Sequence, residues 1–285
     1  MNTYWNNSLS VPIHTGYDEF LRLTEGFENA MFSDHAIGDD LVVMASKTDH
    51  PESVWSEVVE SRAYSKGISN LAPGSVLVDV GAHIGLVSLH FARTVPDARI
   101  YAFEPASASF RCLKENCSRY APGAHVANFA IGSANGEARL TYYPHRSTMS
   151  TLYVDDEEDR HNVRILFDQV DPSPEFRKAF WDRFDRGVRQ ETVPMTTLTD
   201  ALSGADIDEI SFLKIDVERA ELEVLNGLAE DHWAKVRRMA IEVHDRNGRL
   251  AEISELLNRH GYRVEQFREK YFSGTDIHMV YADRD

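Results

Sequence analysis

An α/β fold, with a mainly parallel sheet covered by helices on both faces, is predicted for this 285-residue chain by three observations. Valine-rich apolar runs alternate with segments of helical periodicity, two glycines follow the first of those runs, and run after run ends in an acidic or polar residue. Residues 1–70 precede the alternation and are expected to form an N-terminal helical extension. Within it, Asp49–Val59 reads as a capped amphipathic helix with Val54, Trp55, Val58 and Val59 on one face. Such a helix either roofs a site or merely covers a sheet edge. Residues 71–285 are expected to form the α/β domain, interrupted by an insertion at about 144–190.

The domain opens with Ser75–Val80, a buried parallel strand preceded by Pro73-Gly74. Gly81 and Gly85 bracket a turn in which the backbone must pass close to a ligand. Leu86, Val87, Leu89, His90 and Phe91 make the apolar face of the next helix, which ends before Pro96. Strand Arg99–Phe103 finishes in Glu104, a carboxylate placed to accept hydrogen bonds from both hydroxyls of a ribose. The segment Asp79-Val80-Gly81-Ala82-His83-Ile84-Gly85 lacks the G-x-G-x-x-G spacing of a dinucleotide site, whose amides cradle a pyrophosphate. Asp79 beside the turn repels a pyrophosphate but attracts the ammonium and sulfonium of S-adenosylmethionine. The methyl donor is therefore favoured over NAD, and a site for no nucleotide is the remaining alternative.

The later elements follow the same alternation. Helix Ala108–Tyr120 is ended by Pro122-Gly123, and a third strand, Ala124–Ile131, leads into a hairpin arm, Glu137–Tyr143. In the insertion, Asp155–Arg160 reads as a solvated acidic run and Pro172-Ser173-Pro174 as a turn. Phe176, Phe180, Trp181 and Phe184 recur at helical spacing, which suits a lid, an oligomer contact or simple packing. Strand Ile210–Asp216, helix Ala220–Leu228, strand Met239–His244 and helix Leu250–Asn258 come next. Strands Tyr262–Phe267 and Ile277–Ala282 have no helix between them and fit an antiparallel edge hairpin that completes a seven-stranded sheet.

A formal net charge of −16, with no Lys/Arg stripe to offset it, disfavours nucleic acid and anionic membranes as partners. No run of about 20 apolar residues suggests a membrane span, and the polar start Met1–Asn7 lacks a signal-peptide core. Cys112 and Cys117, in one predicted helix, indicate neither a disulfide framework nor a zinc site. The expectations are a cytoplasmic protein and a small-molecule acceptor, free or carrier-bound, with a homodimer allowed.

In open α/β sheets, ligands bind beyond the carboxyl ends of the strands. Those ends carry Asp79, Glu104, Asn128 with Ala130, Asp216 with Glu218, and Glu242 with His244. Asp79, Gly81, Ala82, His83, Gly85 and Glu104 are assigned to the donor, with Asn128 and Ala130 beside its adenine. A hydroxyl acceptor needs a base, and His244, next to Asp245, has a suitable intrinsic pKa. Asp216 orients it or acts as the base itself. Alternatively, Asp216, Glu242 and His244 hold a divalent ion such as Mg2+ that acidifies the acceptor hydroxyl. His145 and His83 are further bases, although His83 is expected to pack beside the donor. Positioning alone is the last route.

Four segments resemble the FkbM family of S-adenosylmethionine-dependent methyltransferases: Val78–Gly85, Phe103-Glu104-Pro105, Phe212–Glu221 and Ile241–His244. The resemblance covers roughly residues 70–245, and Lys214-Ile215-Asp216-Val217-Glu218 is its most discriminating part. Ser147–Leu152 is similar to a serine-rich segment of many members. What the resemblance implies is a class I, Rossmann-like methyltransferase fold and O-methylation of a natural-product or sugar hydroxyl. N-methylation of an amine or heterocycle, and donor binding without catalysis, are the rival readings. Two departures stand out: His83 where the family commonly has asparagine, and Arg219 where it commonly has glycine. Arg219 is expected either to pair with Glu218 or Glu223 on the surface or to meet an anionic acceptor.

Overall fold

The computed structural model of the chain describes residues 31–284 apart from Asp39. Met1–Asn7 and the first part of the predicted helical extension lie outside the described residues. The first described elements are strands, which corrects the all-helical expectation for residues 1–70. β1 (Phe32–Ile37) and β2 (Leu41–Ser46) form an antiparallel hairpin running from the pair Phe32↔Ser46 to Ile37↔Leu41. Leu41, Val43 and Ala45 are buried while Val42 is exposed, the period-2 pattern of a strand with one face on a core. α1 (Pro51–Glu60) and α2 (Arg62–Ile68) follow. On α1, Val58 is buried in a core against which Val54 and Trp55 pack, but Val59 faces outward. Asp49 does not cap this helix: it accepts from the Ser46 amide and from Ser147 Oγ.

The remaining elements are β3 (Val76–Val80), α3 (Leu86–Thr94), β4 (Arg99–Phe103), α4 (Ser107–Tyr120), β5 (His125–Ala127), β6 (Ala130–Ile131) and β7 (Gly136–Tyr142). After them come α5 (Asp156–Val170), α6 (Pro174–Arg183), β8 (Arg189–Thr196), α7 (Leu198–Leu202) and β9 (Phe212–Ile215). The chain closes with α8 (Glu221–Asn226), α9 (Glu230–Trp233), β10 (Arg238–His244), α10 (Arg249–Arg259), β11 (Arg263–Phe267) and β12 (Ile277–Asp283). Seven strands make the main sheet in the order β5–β4–β3–β9–β10–β12–β11. Its pairs are parallel except that β12 runs antiparallel to both β10 and β11. This is the class I methyltransferase sheet, with its one reversed strand, β12, inserted next to the β11 edge. Among the described residues, no helix is long and apolar enough to cross a membrane.

The expected third strand, Ala124–Ile131, is divided. β5 stays in the main sheet, while β6 leaves it to join a three-stranded sheet of order β6–β8–β7. The break falls at Asn128, whose Nδ2 donates to the carbonyls of Glu104 and Pro105 at 2.8 and 2.9 Å and so turns the chain away from the β4 ladder. The arm β7 pairs with β8, from Gly136↔Met195 to Tyr142↔Arg189. The insertion therefore leaves and re-enters the fold on neighbouring strands, so its length does not disturb the sheet.

Side-chain alternation places two cores on the two faces of the sheet. Val78, Val80, Leu213, Ile215, Ile241 and Val243 pack with α7, α8 and α10 on one. Leu77, Ile100, Phe212 and Met279 pack with the β1–β2 hairpin and α1–α3 on the other. Each such aliphatic side chain contributes about 1.5–3 kcal/mol by leaving water. Cys112 and Cys117 are free, buried thiols on α4 whose pKa burial pushes up to about 12. The second face carries two charges in place of aliphatics, Asp79 and Lys214, and these begin the site.

Candidate active site

Asp79 on β3 and Lys214 on β9 are direct register partners, Asp79↔Lys214, so the two strands force them together. Both are buried, and Lys214 Nζ lies 3.2 Å from Asp79 Oδ1 and 3.5 Å from Asp216 Oδ2. The same ammonium donates to the carbonyls of Val80, at 3.3 Å, and Gly81, at 2.5 Å. Ser88 Oγ donates to the other Asp79 oxygen at 2.7 Å. Burial disfavours the charged lysine, but the Asp79 and Asp216 carboxylates outweigh it and raise its pKa. Asp79 is thus the counter-ion of Lys214 beneath the glycine turn. It is absent from the cavity wall, which corrects its assignment to the donor's cationic end. Lys214 is a residue to which sequence reasoning gave no role, although it opens the discriminating segment Lys214–Glu218 and breaks the apolar run Phe212–Ile215.

The turn above this pair demands its glycines. Gly81 has φ +76°, and a Cβ there would stand 1.7 Å from the Asp216 carbonyl oxygen. Gly85, at φ +93°, starts α3, and its Cβ would come within 2.9 Å of Leu113. Gly81, Ala82 and His83 line the cavity, whereas Gly85 shapes the turn from behind. Glu104 closes over this turn from the end of β4. Its Oε2 accepts from the His83 amide at 2.9 Å and its Oε1 from the Ala106 amide at 2.8 Å. Burial pushes its pKa up to about 7 despite those two bonds. Asn128 does not reach the cavity; it braces the Glu104-Pro105 turn, which corrects its place beside the adenine. Phe129 and Ala130 line the wall there instead, with Phe129 stacked on Phe103 at 5.4 Å between centroids.

His83 takes φ +50° and sets its Nε2 2.8 Å from Ser147 Oγ. Ser147 gives its own hydrogen to Asp49 Oδ1 at 2.8 Å, so His83 must be the donor in the first bond. Burial lowers the His83 pKa, which favours the neutral ring.

One cavity of about 460 Å³ joins the glycine turn and Glu104 to the ends of β9 and β10. Asp216, Glu218, Glu242 and His244 all line it, as does Glu57 of α1, which sequence reasoning did not single out. Burial, then Asp216, pushes the Glu57 carboxyl up to about 7. Burial, Asp216 and Glu218 raise Glu242 well above the carboxylate range. His244 Nε2 is 3.2 Å from Glu218 Oε2, and its Nδ1 is 3.3 Å from Glu158 Oε1. Burial opposes a charged ring there, but those carboxylates outweigh it and raise the His244 pKa well above its ordinary value. Carboxylates that favour the protonated ring make it a weaker proton acceptor in the free protein, which argues against His244 as the general base. The expected metal set Asp216, Glu242 and His244 also changes: Asp216 is tied to Lys214, and Glu218 takes its place beside Glu242 and His244. His145 lines the cavity too, and burial lowers its pKa.

The insertion supplies wall residues, among them Asn162, Val163, Leu166 and Phe167. Phe167, Phe180, Trp181 and Phe184 form its own aromatic cluster. The acidic run expected to be solvated is turned half inward. Asp155 caps α5 through the Glu158 amide, and Asp159 is 1% exposed between two guanidinium groups. Arg146 NH1 donates to it at 2.8 Å, and Arg219 NH2 pairs with its other oxygen. Arg146 is also held between the Tyr143 and Phe184 rings at 3.6 and 3.7 Å. Arg219 is therefore neither a surface side chain nor open to an acceptor: it anchors the insertion. It does so at φ +80°, next to Glu218 at +54°, the left-handed backbone for which glycine is the default residue. Asp159→Ala is expected to cost about 2 kcal/mol, because Arg146 keeps Asp185 and Arg219 keeps Glu158. Hydrogen exchange should rise across 156–183 and stay unchanged in β3 and β9.

The chain matches the Methyltransferase FkbM domain over residues 79–264. It belongs to the FkbM methyltransferase family. The FkbM relatives include 31-O-demethyl-FK506 methyltransferase FkbM of Streptomyces tacrolimicus, 33% identical over 81% of this chain and 89% of that protein. AMB antimetabolite synthetase AmbE of Pseudomonas aeruginosa is 35% identical over 82% of this chain, which spans only 12% of that much longer protein. Methyltransferase sdnD of Sordaria araneosa is 29% identical over 86% of this chain and 95% of its own length. Membership of the FkbM family implies S-adenosylmethionine as donor, and the residues present fit it. Glu104 offers a buried carboxylate to two hydroxyls, Phe129 and Ala130 an apolar wall to a base, and the carboxylate rim a counter-charge to a sulfonium.

Proposed function

We propose that the chain methylates a hydroxyl oxygen of a small molecule, a natural product or a sugar. The observation that carries this reading is that one cavity holds both Glu104 with its glycine turn and the rim of Glu57, Asp216, Glu218 and Glu242. S-adenosylmethionine supplies, when bound, a methyl group on a positively charged sulfur. Glu104 binds the ribose hydroxyls, the Gly81–His83 backbone fixes the approach, and Phe129 with Ala130 flanks the base. Lys214 keeps that backbone in place from below.

At the other end of the cavity an oxygen acceptor must be oriented and must lose a proton. Glu57, its carboxyl pushed up to about 7, is matched to take that proton near neutral pH. The insertion and α1 both contribute walls to the cavity. With Arg219 engaged by Asp159 and four carboxylates on the rim, a neutral or cationic acceptor suits the site better than an anionic one. The relative from Streptomyces tacrolimicus carries oxygen methylation in its name, which supports transfer to oxygen.

Calorimetric titration with S-adenosylhomocysteine, followed by incubation of S-adenosylmethionine with hydroxyl-bearing and amine-bearing acceptors, tests the proposal. The expected result is binding of one S-adenosylhomocysteine per chain and an O-methyl signal in the product. Methyl transfer to amines alone would replace this reading with the nitrogen one. Binding without any acceptor-dependent turnover would leave a donor-binding module.

A further inference from the structure

The ends of β9 and β10 hold a constellation to which the methyl-transfer reading gives no role beyond counter-charge. Glu218, Glu242 and His244 each offer one ligating atom, and the three atoms lie within 4.8 Å of one another. His244 is 4% exposed, and its Nε2 makes no hydrogen bond although Glu218 Oε2 is 3.2 Å away. Two atoms at that separation without hydrogen-bond geometry are spaced as neighbouring ligands of one ion, each about 2.0–2.2 Å from it. The other ring nitrogen is already fixed: Nδ1 faces Glu158 Oε1 at 3.3 Å, and Arg219 Nε holds that same oxygen at 3.3 Å. A carboxylate behind the imidazole is how proteins orient a metal-ligating histidine. Glu242 faces the cavity with no hydrogen bond or ion pair within the protein among the described residues.

A second grouping, Glu158, His244 and Asp276, meets on the Nδ1 side. It is closed by its own bonds, including Asn162 Nδ2 to Asp276 Oδ1 at 2.6 Å. The Nε2 side has no such closure.

We propose that Glu218, Glu242 and His244 form a divalent-cation site at the acceptor end of the cavity, taking Mn2+ in preference to Mg2+. The preference comes from the imidazole nitrogen, which first-row transition ions accept more readily than Mg2+, an ion of oxygen ligands. Three protein ligands leave further positions open toward the cavity, where an acceptor oxygen can bind and become more acidic. That last role rests on the methyl-transfer reading; the cation site itself does not.

The test is titration of the chelator-stripped protein with Mn2+, following the free ion by electron paramagnetic resonance, with Mg2+ as competitor. One Mn2+ per chain should bind, at least about tenfold more tightly than Mg2+. Glu242→Gln and His244→Ala should each weaken Mn2+ by about 30-fold or more, and Glu158→Gln, behind the imidazole, by about tenfold. Among the described residues Glu242 has no partner to lose, so Glu242→Gln should keep the wild-type melting temperature and remain informative if His244→Ala misfolds. No stoichiometric Mn2+, or equal affinity in Glu242→Gln and the wild type, overturns the site. Calorimetry with S-adenosylhomocysteine on the same stripped sample separates the two claims. Donor binding without Mn2+ binding removes only the cation site; Mn2+ binding without donor binding removes only the methyl-transfer reading.

Discussion

Glu104→Ala is expected to weaken S-adenosylhomocysteine binding by about 100-fold or more, measured by calorimetry at neutral pH. The carboxylate is mostly buried, and each oxygen already accepts one backbone amide, from His83 or from Ala106. Its remaining lone pairs face the cavity, where two ribose hydroxyls would donate to it. A hydrogen bond to a charged group contributes about 1.5–3 kcal/mol, and 1.4 kcal/mol is tenfold in affinity. Loss of two such bonds, about 3 kcal/mol or more, therefore amounts to about 100-fold or more. Glu104→Gln should do little better, because an NH2 group must then face the amide of His83 or Ala106. The wild type should also show a pH dependence with a fixed sign. Donated hydrogen bonds favour the ionised carboxylate, and in the free protein its pKa stands at about 7. Affinity should fall about tenfold from about pH 8 to about pH 6, and Glu104→Ala should flatten that profile. An affinity within about threefold of wild type in Glu104→Ala would remove the carboxylate from the donor site.

Glu104 was legible in the sequence because it breaks a rule. A strand buried on both faces reads as an apolar run, as Val76-Leu77-Val78 and Ile100–Phe103 do, so an acid at the end of such a run points to a ligand. The same logic exposed Asp216 and Glu242, and the alternation of runs and helices gave the strands of the main sheet. It could not separate Asp79 from Glu104. Both are acids at strand ends, and only the register Asp79↔Lys214 turns the first into a counter-ion. The run Asp155–Arg160 was illegible for a related reason. Charge patterning is the same whether a carboxylate meets water or a guanidinium, and the partners Arg146 and Arg219 are distant in sequence from Asp159. The hairpin β1–β2 is short, and its alternation over Leu41–Ala45 is no longer than chance allows in an extension expected to be helical. Arg219 was marked as a departure from glycine; what the sequence withheld was why a left-handed position should carry a long side chain. The structure answers with Asp159: the anchored insertion offsets the backbone strain.

Lys214→Met is expected to destabilise the fold by about 3–5 kcal/mol, the largest stability loss anticipated for a single side chain here. Methionine fills most of the lysine's volume, so the loss is electrostatic rather than steric. Asp79, fully buried on β3, would keep only the Ser88 hydroxyl, and the carbonyls of Val80 and Gly81 would lose their donor. For a domain of this size the melting temperature should fall by about 10 °C. The diagnostic measurement is a double-mutant cycle in urea. Asp79→Asn should be costly alone, yet Asp79→Asn with Lys214→Met should recover at least half of the summed loss, because the fully buried charge is then gone and Asp216, which also loses Lys214, is partly exposed. Additive losses would mean that Lys214 acts through packing and not as the partner of Asp79. The pair also links stability to function, since the carbonyls it holds belong to the backbone that shapes the donor turn. The double variant, though refolded, should bind S-adenosylhomocysteine more weakly than the wild type, with Gly81 and His83 no longer fixed from beneath.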